Sequence, residues 1–188
     1  PAAGARFDWT GIADMVRTSG DLVPLWRNVL TMPDGVDPFA SGMFGGVPDQ
    51  FADAAAANDR PAYRSDPDML VVGVTWSDFF LRHRELLRHT IKSQSLTADQ
   101  RALIEPMLAM PARTAQWIAA TQPSLTEDEQ RSHFSLWAML GAPLLAGNDL
   151  RAMSPTTLSI LTNREVIAVD QDPLMAKVRQ VGGDGRIW

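Results

Sequence analysis

Apolar residues gather along this chain in two patterns. Residues 12–16, 69–72 and 144–146 form short apolar runs without strict alternation, as expected of strands buried on both faces of a parallel sheet. Each run lies beside a segment of helical periodicity. Residues 77–122 read as helices, with Phe79, Phe80, Leu86, Leu87 and Ile91 on one apolar stripe and Arg82, Arg84, Arg88 and Lys92 largely elsewhere. That basic row is either a solvated face or a partner surface. Thr97 and Gln100 have capping-box spacing, and Pro111 suits the first turn of the helix after it. Another helix starts at Thr126, with Glu129 placed to reach back to it, and runs to Gly141. A third opens at Ser154-Pro155 and ends near Asn163. Three strand-plus-helix units predict the α/β class.

The remainder is punctuation. Residues 32–67 are dense in proline and glycine and predict loop interrupted by a short helix at 50–57. Residues 178–188 read as two short strands around Gly182-Gly183-Asp184-Gly185, a hairpin that stops at Trp188 inside its second strand. With Pro1 at the other end, the chain reads as a fragment.

The 188 residues carry 17 Lys and Arg against 22 Asp and Glu, a net charge of -5. This balance argues against partners such as nucleic acid or an anionic membrane, because both demand clustered cations. No apolar run approaches the roughly 20 residues of a membrane-spanning helix. The absence of cysteine excludes disulfides, thiol nucleophiles and cysteine-held metals. His83, His89 and His133 show no paired ligand spacing, so no metal site is expected, and no motif calls for a cofactor.

Each apolar run ends in polar residues or glycine, and in parallel β/α architectures those strand ends build the ligand site. Asp21 follows Arg17 by four residues across Gly20. This pair is either a general acid/base beside a guanidinium that holds a substrate hydroxyl, or a helix N-cap with a neighbouring ion pair. Asp66 and Asp68 flank Pro67 as a turn rather than a calcium loop, and Asp149 follows the third run.

Taken together, the segments Arg17-Thr18-Ser19-Gly20-Asp21, Asp66-Pro67-Asp68-Met69-Leu70 with Val71-Val72-Gly73, LTEDEQRSHFSLWAML at 125–140, Ala142-Pro143-Leu144-Leu145 with Asn148-Asp149-Leu150-Arg151, and EVIAVDQDPL at 165–174 resemble the melibiase-type α-galactosidases, glycoside hydrolase family 27. The resemblance implies a retaining glycosidase on a (β/α)8 TIM barrel with a C-terminal antiparallel β domain. Residues 1–176 would be the C-terminal portion of that barrel, strands six to eight, with a helical insertion at about 75–123. Residues 177–188 would open the β domain. Asp21 would be the catalytic acid/base, while Arg17, Asp68 and Met69 would bind the sugar.

The family's nucleophile, an aspartate after Lys-Tyr on the fourth strand, has no counterpart here: the sole tyrosine, Tyr63, is followed by Arg64. The segment alone is therefore expected to be inactive and to need the rest of the barrel, from the same parent chain or a second one, as its partner. Arg64-Ser65 stands where the family carries Trp-Asn, and residues 75–123 stand where it carries a short glycine-rich loop. Expected substrates are terminal α-D-galactosides. The alternatives are β-L-arabinopyranosides, α-N-acetylgalactosaminides, or sugar binding by a non-catalytic half-barrel. A secreted or cytoplasmic bacterial location both fit, with secretion suited to work on plant oligosaccharides.

Overall fold

The computed structural model describes residues 11–26, 44–57, 64–93, 97–98, 101, 105, 108–109, 111–121, 123–174 and 178. Four short strands occur among them: β1 (Met15–Arg17), β2 (Asp21–Leu22), β3 (Phe44–Gly45) and β4 (Arg64–Asp66). All pair in parallel, β1 with β4 and β2 with β3. A third parallel contact joins Leu70 to Ala146. The α/β expectation therefore holds at the level of class.

The strand expectations need correction in detail. The first strand begins at Met15, and Ile12 sits in a turn at 66% exposure. Residues 69–72 are well buried at Leu70, Val71 and Val72, yet only Leu70 pairs. In the third run Leu145 is 58% exposed. An apolar run is buried only where a neighbour covers it, and among the described residues nothing covers that side of 144–146. The polar segment Arg64–Asp66 is a strand because β1 supplies backbone partners to it, and Thr18 N–H extends the ladder to the Asp66 carbonyl at 2.9 Å. The backbone, not the side chains, makes that ladder.

The helices are α1 (Val47–Ala57), α2 (Trp76–Ser93), α3 (Ala112–Thr121), α4 (Glu127–Leu140), α5 (Pro155–Leu161) and α6 (Arg164–Asp170). Local signals set most boundaries. Thr126 and Glu129 close a reciprocal capping box on α4, and Gly141 ends it at φ +61°. Ser154 caps α5 ahead of Pro155. The expected third helix ends at Leu161 with Thr162 as its C-cap, and Asn163 caps α6, which the sequence pattern did not reveal. The other expected capping box, at Thr97 and Gln100, and the hairpin of residues 178–188 fall on or partly on positions outside the described residues.

Two apolar clusters hold these elements. The larger gathers Leu22, Leu70, Val71 and Val72 under α1, α4 and α5, with Trp137 fully buried. The smaller packs α2 on α3 through Trp76, Phe79, Phe80, Ala115 and Ala119, and anchors both to Val23 and Leu25 just past β2. The stripe on α2 is rotated from the expected one. Trp76, Phe80 and Arg84, four residues apart, face inward, whereas Leu86 is 58% exposed. Arg84 lies with this face, its side chain only 5% exposed.

Candidate active site

The site begins where β1 ends. Arg17 is its last residue, and the bend at 18–20 delivers Asp21 as the first residue of β2. The Gly20 carbonyl accepts from Arg17 Nη2 at 2.6 Å and from Gln50 Nε2 of α1 at 2.9 Å, so the bend is held from both sides. Gln50 is buried, and nothing in its sequence context singled it out.

The same Arg17 Nη2 reaches two carboxylates, Asp21 Oδ1 at 3.2 Å and Asp68 Oδ2 at 2.9 Å. Their environments differ. The Asp21 side chain is 61% exposed and that of Asp68 only 15%. Asp68 also accepts from Leu22 N–H at Oδ2 and from Met69 N–H at Oδ1, each at 2.7 Å. Burial is the main influence on its acidity and pushes the carboxyl up. The two backbone donors and Arg17 pull it back down, and Asp21 again raises it. Arg17 keeps a buried Nε that has no partner among the described residues. Of the two structural roles open to Asp21, the ion pair is present and the helix cap is not.

Asp68 adopts φ +89°, the left-handed region that side chains avoid. Such a conformation costs about 1–3 kcal/mol and persists only where surroundings impose it. Here its N–H donates to Asp66 Oδ1 at 2.9 Å and its carbonyl accepts from Trp137 Nε1 at 2.8 Å. Asp66 thus serves as the turn cap expected of it.

Trp137 belongs to a row on α4. Gln130 Oε1 accepts from Gly73 N–H at 2.8 Å, and His133 Nε2 accepts from Val71 N–H at 3.0 Å. Positions 130, 133 and 137 share one helix face. They satisfy the backbone of residues 68–73 on the side away from its strand contact, where Leu70 N–H donates to the Leu145 carbonyl and Gly147 N–H to the Leu70 carbonyl. His133 is fully buried, its ring perpendicular to that of Trp137 with centroids 4.1 Å apart. Desolvation lowers its pKa from 6.5 to about 3, so it stays neutral and its Nε2 lone pair remains an acceptor.

Met69 lies beside Gly147. A Cβ at residue 147 would come within 2.7 Å of Met69 Sδ and 2.8 Å of the Leu70 carbonyl oxygen. Gly147→Ala is expected to destabilise the fold by about 1–3 kcal/mol through overpacking, read as a lower midpoint of thermal unfolding. An unchanged midpoint would refute this packing account.

Arg17, Asp21, Asp68 and Met69 are therefore contiguous. Asp149 is not part of that set: it caps the short turn Leu150–Ala152 and pairs with Arg151 Nη2 at 2.8 Å. Among the described residues no three His, Asp or Glu side chains are grouped to hold a metal ion, and no helix is long and apolar enough to cross a membrane. What the set can offer a ligand is one exposed carboxylate and a cluster of fixed donors and acceptors around a guanidinium.

The family described as melibiase, α-galactosidase A, matches residues 97–172. An α-galactosidase A of Cellvibrio japonicus is 62% identical over 50 residues, which is 27% of this chain and 12% of that protein. A probable α-galactosidase A of Aspergillus oryzae is 31% identical over 144 residues, 70% of this chain and 27% of its own length. The chain thus spans about a quarter or less of these relatives. A solved structure of a putative α-galactosidase from Bacteroides fragilis superposes with a TM-score of 0.55 at 26% identity, covering 92% of this chain and 26% of that one. With the motifs in their order and the fold in agreement, the chain belongs to the melibiase-type α-galactosidases, glycoside hydrolase family 27.

Proposed function

We propose that this chain is the acid/base-bearing portion of a retaining glycosidase that removes terminal α-D-galactosyl residues. The observation that carries the reading is the Arg17 guanidinium set between an exposed Asp21 and a recessed Asp68 at the start of β2 and the entry to residues 69–72. Retaining hydrolysis uses two carboxyl groups roughly 5–5.5 Å apart, one attacking the anomeric carbon and one managing the proton. Asp21 takes the second role. It donates its proton to the glycosidic oxygen as that bond breaks, then removes a proton from the water that releases the sugar. Arg17 and Asp68 hold sugar hydroxyls, and Met69 lies against the ring. No metal or cofactor enters the reaction.

In this reading the described strands belong to the sixth to eighth β/α units of a barrel within residues 1–176, and residues 177–188 begin a β domain. The nucleophile comes from elsewhere in the barrel, because this sequence has no Lys-Tyr-Asp segment.

The test follows the first anomer formed by the complete barrel protein, by proton NMR, on 4-nitrophenyl α-D-galactopyranoside, with the β-L-arabinopyranoside and α-N-acetylgalactosaminide compared. α-Galactose appearing before its anomer is expected. The β-anomer appearing first would overturn retention, and no turnover of any of the three would overturn the enzyme reading. Hydrolysis by the rigorously purified 188-residue chain would overturn the placement of the nucleophile outside it.

A further inference from the structure

The Asp21 carboxyl is exposed, so its direction depends on the backbone that carries it more than on packing around it. Two peptide planes meet at its Cα. The plane after it is fixed by Leu22 N–H, which donates to Asp68 Oδ2 at 2.7 Å, and by the pairing of β2 with β3. The plane before it carries the Gly20 carbonyl, which accepts from Arg17 Nη2 at 2.6 Å and from Gln50 Nε2 at 2.9 Å. That oxygen is coplanar with the N and Cα of Asp21, so whatever fixes it also fixes the stem of the Asp21 side chain.

The two donors differ. Arg17 Nη2 is shared with Asp21 Oδ1 at 3.2 Å and Asp68 Oδ2 at 2.9 Å, and its charge-assisted contact with Asp21 weakens whenever that carboxyl is protonated. The Gln50 amide is neutral, so its bond to Gly20 is the same in both protonation states of Asp21. It is also firmly seated. Gln50 is a polar member of the buried face of α1, beside Val47, Phe51, Ala54 and Ala55, where an amide without a partner would be costly. Gly45 of β3 leaves the room it needs: a Cβ there would stand 3.1 Å from Gln50 Nε2. Strand β3 thus pairs with β2 and also seats the side chain that holds the bend leading into β2. Because Arg17 already satisfies the Gly20 carbonyl, the second bond serves to fix its direction.

We infer that Gln50 is a positioning residue for the acid/base: its amide orients the Gly20 peptide so that Asp21 keeps one direction while it gives up a proton and while it takes one back. The inference rests on the acid/base reading of Asp21 above and adds to it a residue that acts through the backbone rather than on the sugar. Helix α1 is then part of the catalytic apparatus.

The test uses Gln50→Met in the complete barrel protein, which keeps the length and approximate volume of the side chain and removes its donor. Methyl α-D-galactopyranoside, whose leaving group needs a proton, is compared with 4-nitrophenyl α-D-galactopyranoside, whose leaving group does not. The ratio of kcat/KM for the methyl to that for the aryl galactoside is expected to fall about tenfold, a fraction of the roughly hundredfold that a 1 Å misplacement of reacting groups costs. Inhibition by galactose is expected to be unchanged, and Gln50→Met is expected to cost nothing further once Asp21→Asn is present, because both act through one group. Unfolding midpoints establish that each protein is folded; should Gln50→Met not fold, Gln50→Asn, whose amide is too short to reach Gly20, is read in the same way. If Asp21→Asn lowers the ratio but the Gln50 variant does not, or if the two losses are fully additive, the role of Gln50 is overturned while the glycosidase reading stands. Equal losses on both substrates with weakened galactose inhibition would also overturn it, since a merely structural role produces that pattern. If Asp21→Asn leaves the ratio unchanged, the acid/base reading itself fails and the inference fails with it.

Discussion

Asp21→Asn in the complete barrel protein is expected to lower kcat by about two to four orders of magnitude on galactosides with poor leaving groups, the range that a positioned general acid/base contributes. On activated aryl galactosides the loss is expected to be far smaller, because a leaving group that departs without protonation bypasses the first role of Asp21. Fold stability should change little. The Asp21 side chain is 61% exposed and its partner is Arg17 at 3.2 Å, so an amide oxygen in its place can still accept from the guanidinium. An exposed pair of this kind is worth about 0–1 kcal/mol. Kinetics on both substrate types, with an unfolding curve for each protein, separate the chemical role from a structural one. Unchanged turnover of the poor substrate would refute the assignment.

His133→Gln is expected to weaken the dependence of stability on acid. The buried imidazole has its pKa lowered by desolvation from 6.5 to about 3. Between those values the unfolded chain binds a proton that the folded chain does not, so stability rises with pH across that window. The contribution is fully present above the unfolded value and is lost as pH falls below it. By pH 5 the loss amounts to about 2 kcal/mol, a large part of a typical folding free energy of about 5–15 kcal/mol. Glutamine cannot titrate in this range, but its carbonyl can still accept from Val71 N–H, the bond that His133 Nε2 makes at 3.0 Å. Urea unfolding of both proteins at pH 7 and pH 5 should show the wild type losing about 2 kcal/mol more than the variant. Equal losses would mean that His133 takes up its proton without unfolding.

Both predictions depend on how residues 68–73 are held. The Asp68 backbone at φ +89° is locked by Trp137, Val71 by His133 and Gly73 by Gln130. Helix α4 therefore takes the place of a neighbouring strand for this segment, and the geometry of Asp68 against Arg17 depends on it.

The cap at Thr126, the stop at Gly141 and the start at Ser154-Pro155 were all legible in the sequence, and so were the polar residues closing each apolar run. Such features act within a few residues of the chain, where side-chain chemistry and backbone conformation are coupled directly. The family was legible for a related reason, since ordered short motifs survive where overall similarity does not. Other features were hidden. Nothing local marks Arg64-Ser65-Asp66 as a strand, Gln50 as the second hold on Gly20, or Gln130, His133 and Trp137 as hydrogen-bond partners of a segment 57 to 69 positions away. Nor could periodicity tell that Leu86 would face outward while Arg84 turned in.

The sequence by itself therefore determined the class of fold, both ends of α4 and the start of α5, the charge balance that disfavours polyanions, and the polar residues that follow the apolar runs. Only the tertiary structure decided which apolar runs are covered, how Arg17 is shared between Asp21 and Asp68, and that Gln50 of α1 reaches the bend before Asp21. The division is physical: caps and turns are set by neighbours along the chain, whereas burial, carboxylate acidity and long-range hydrogen bonds depend on what other segments bring into contact.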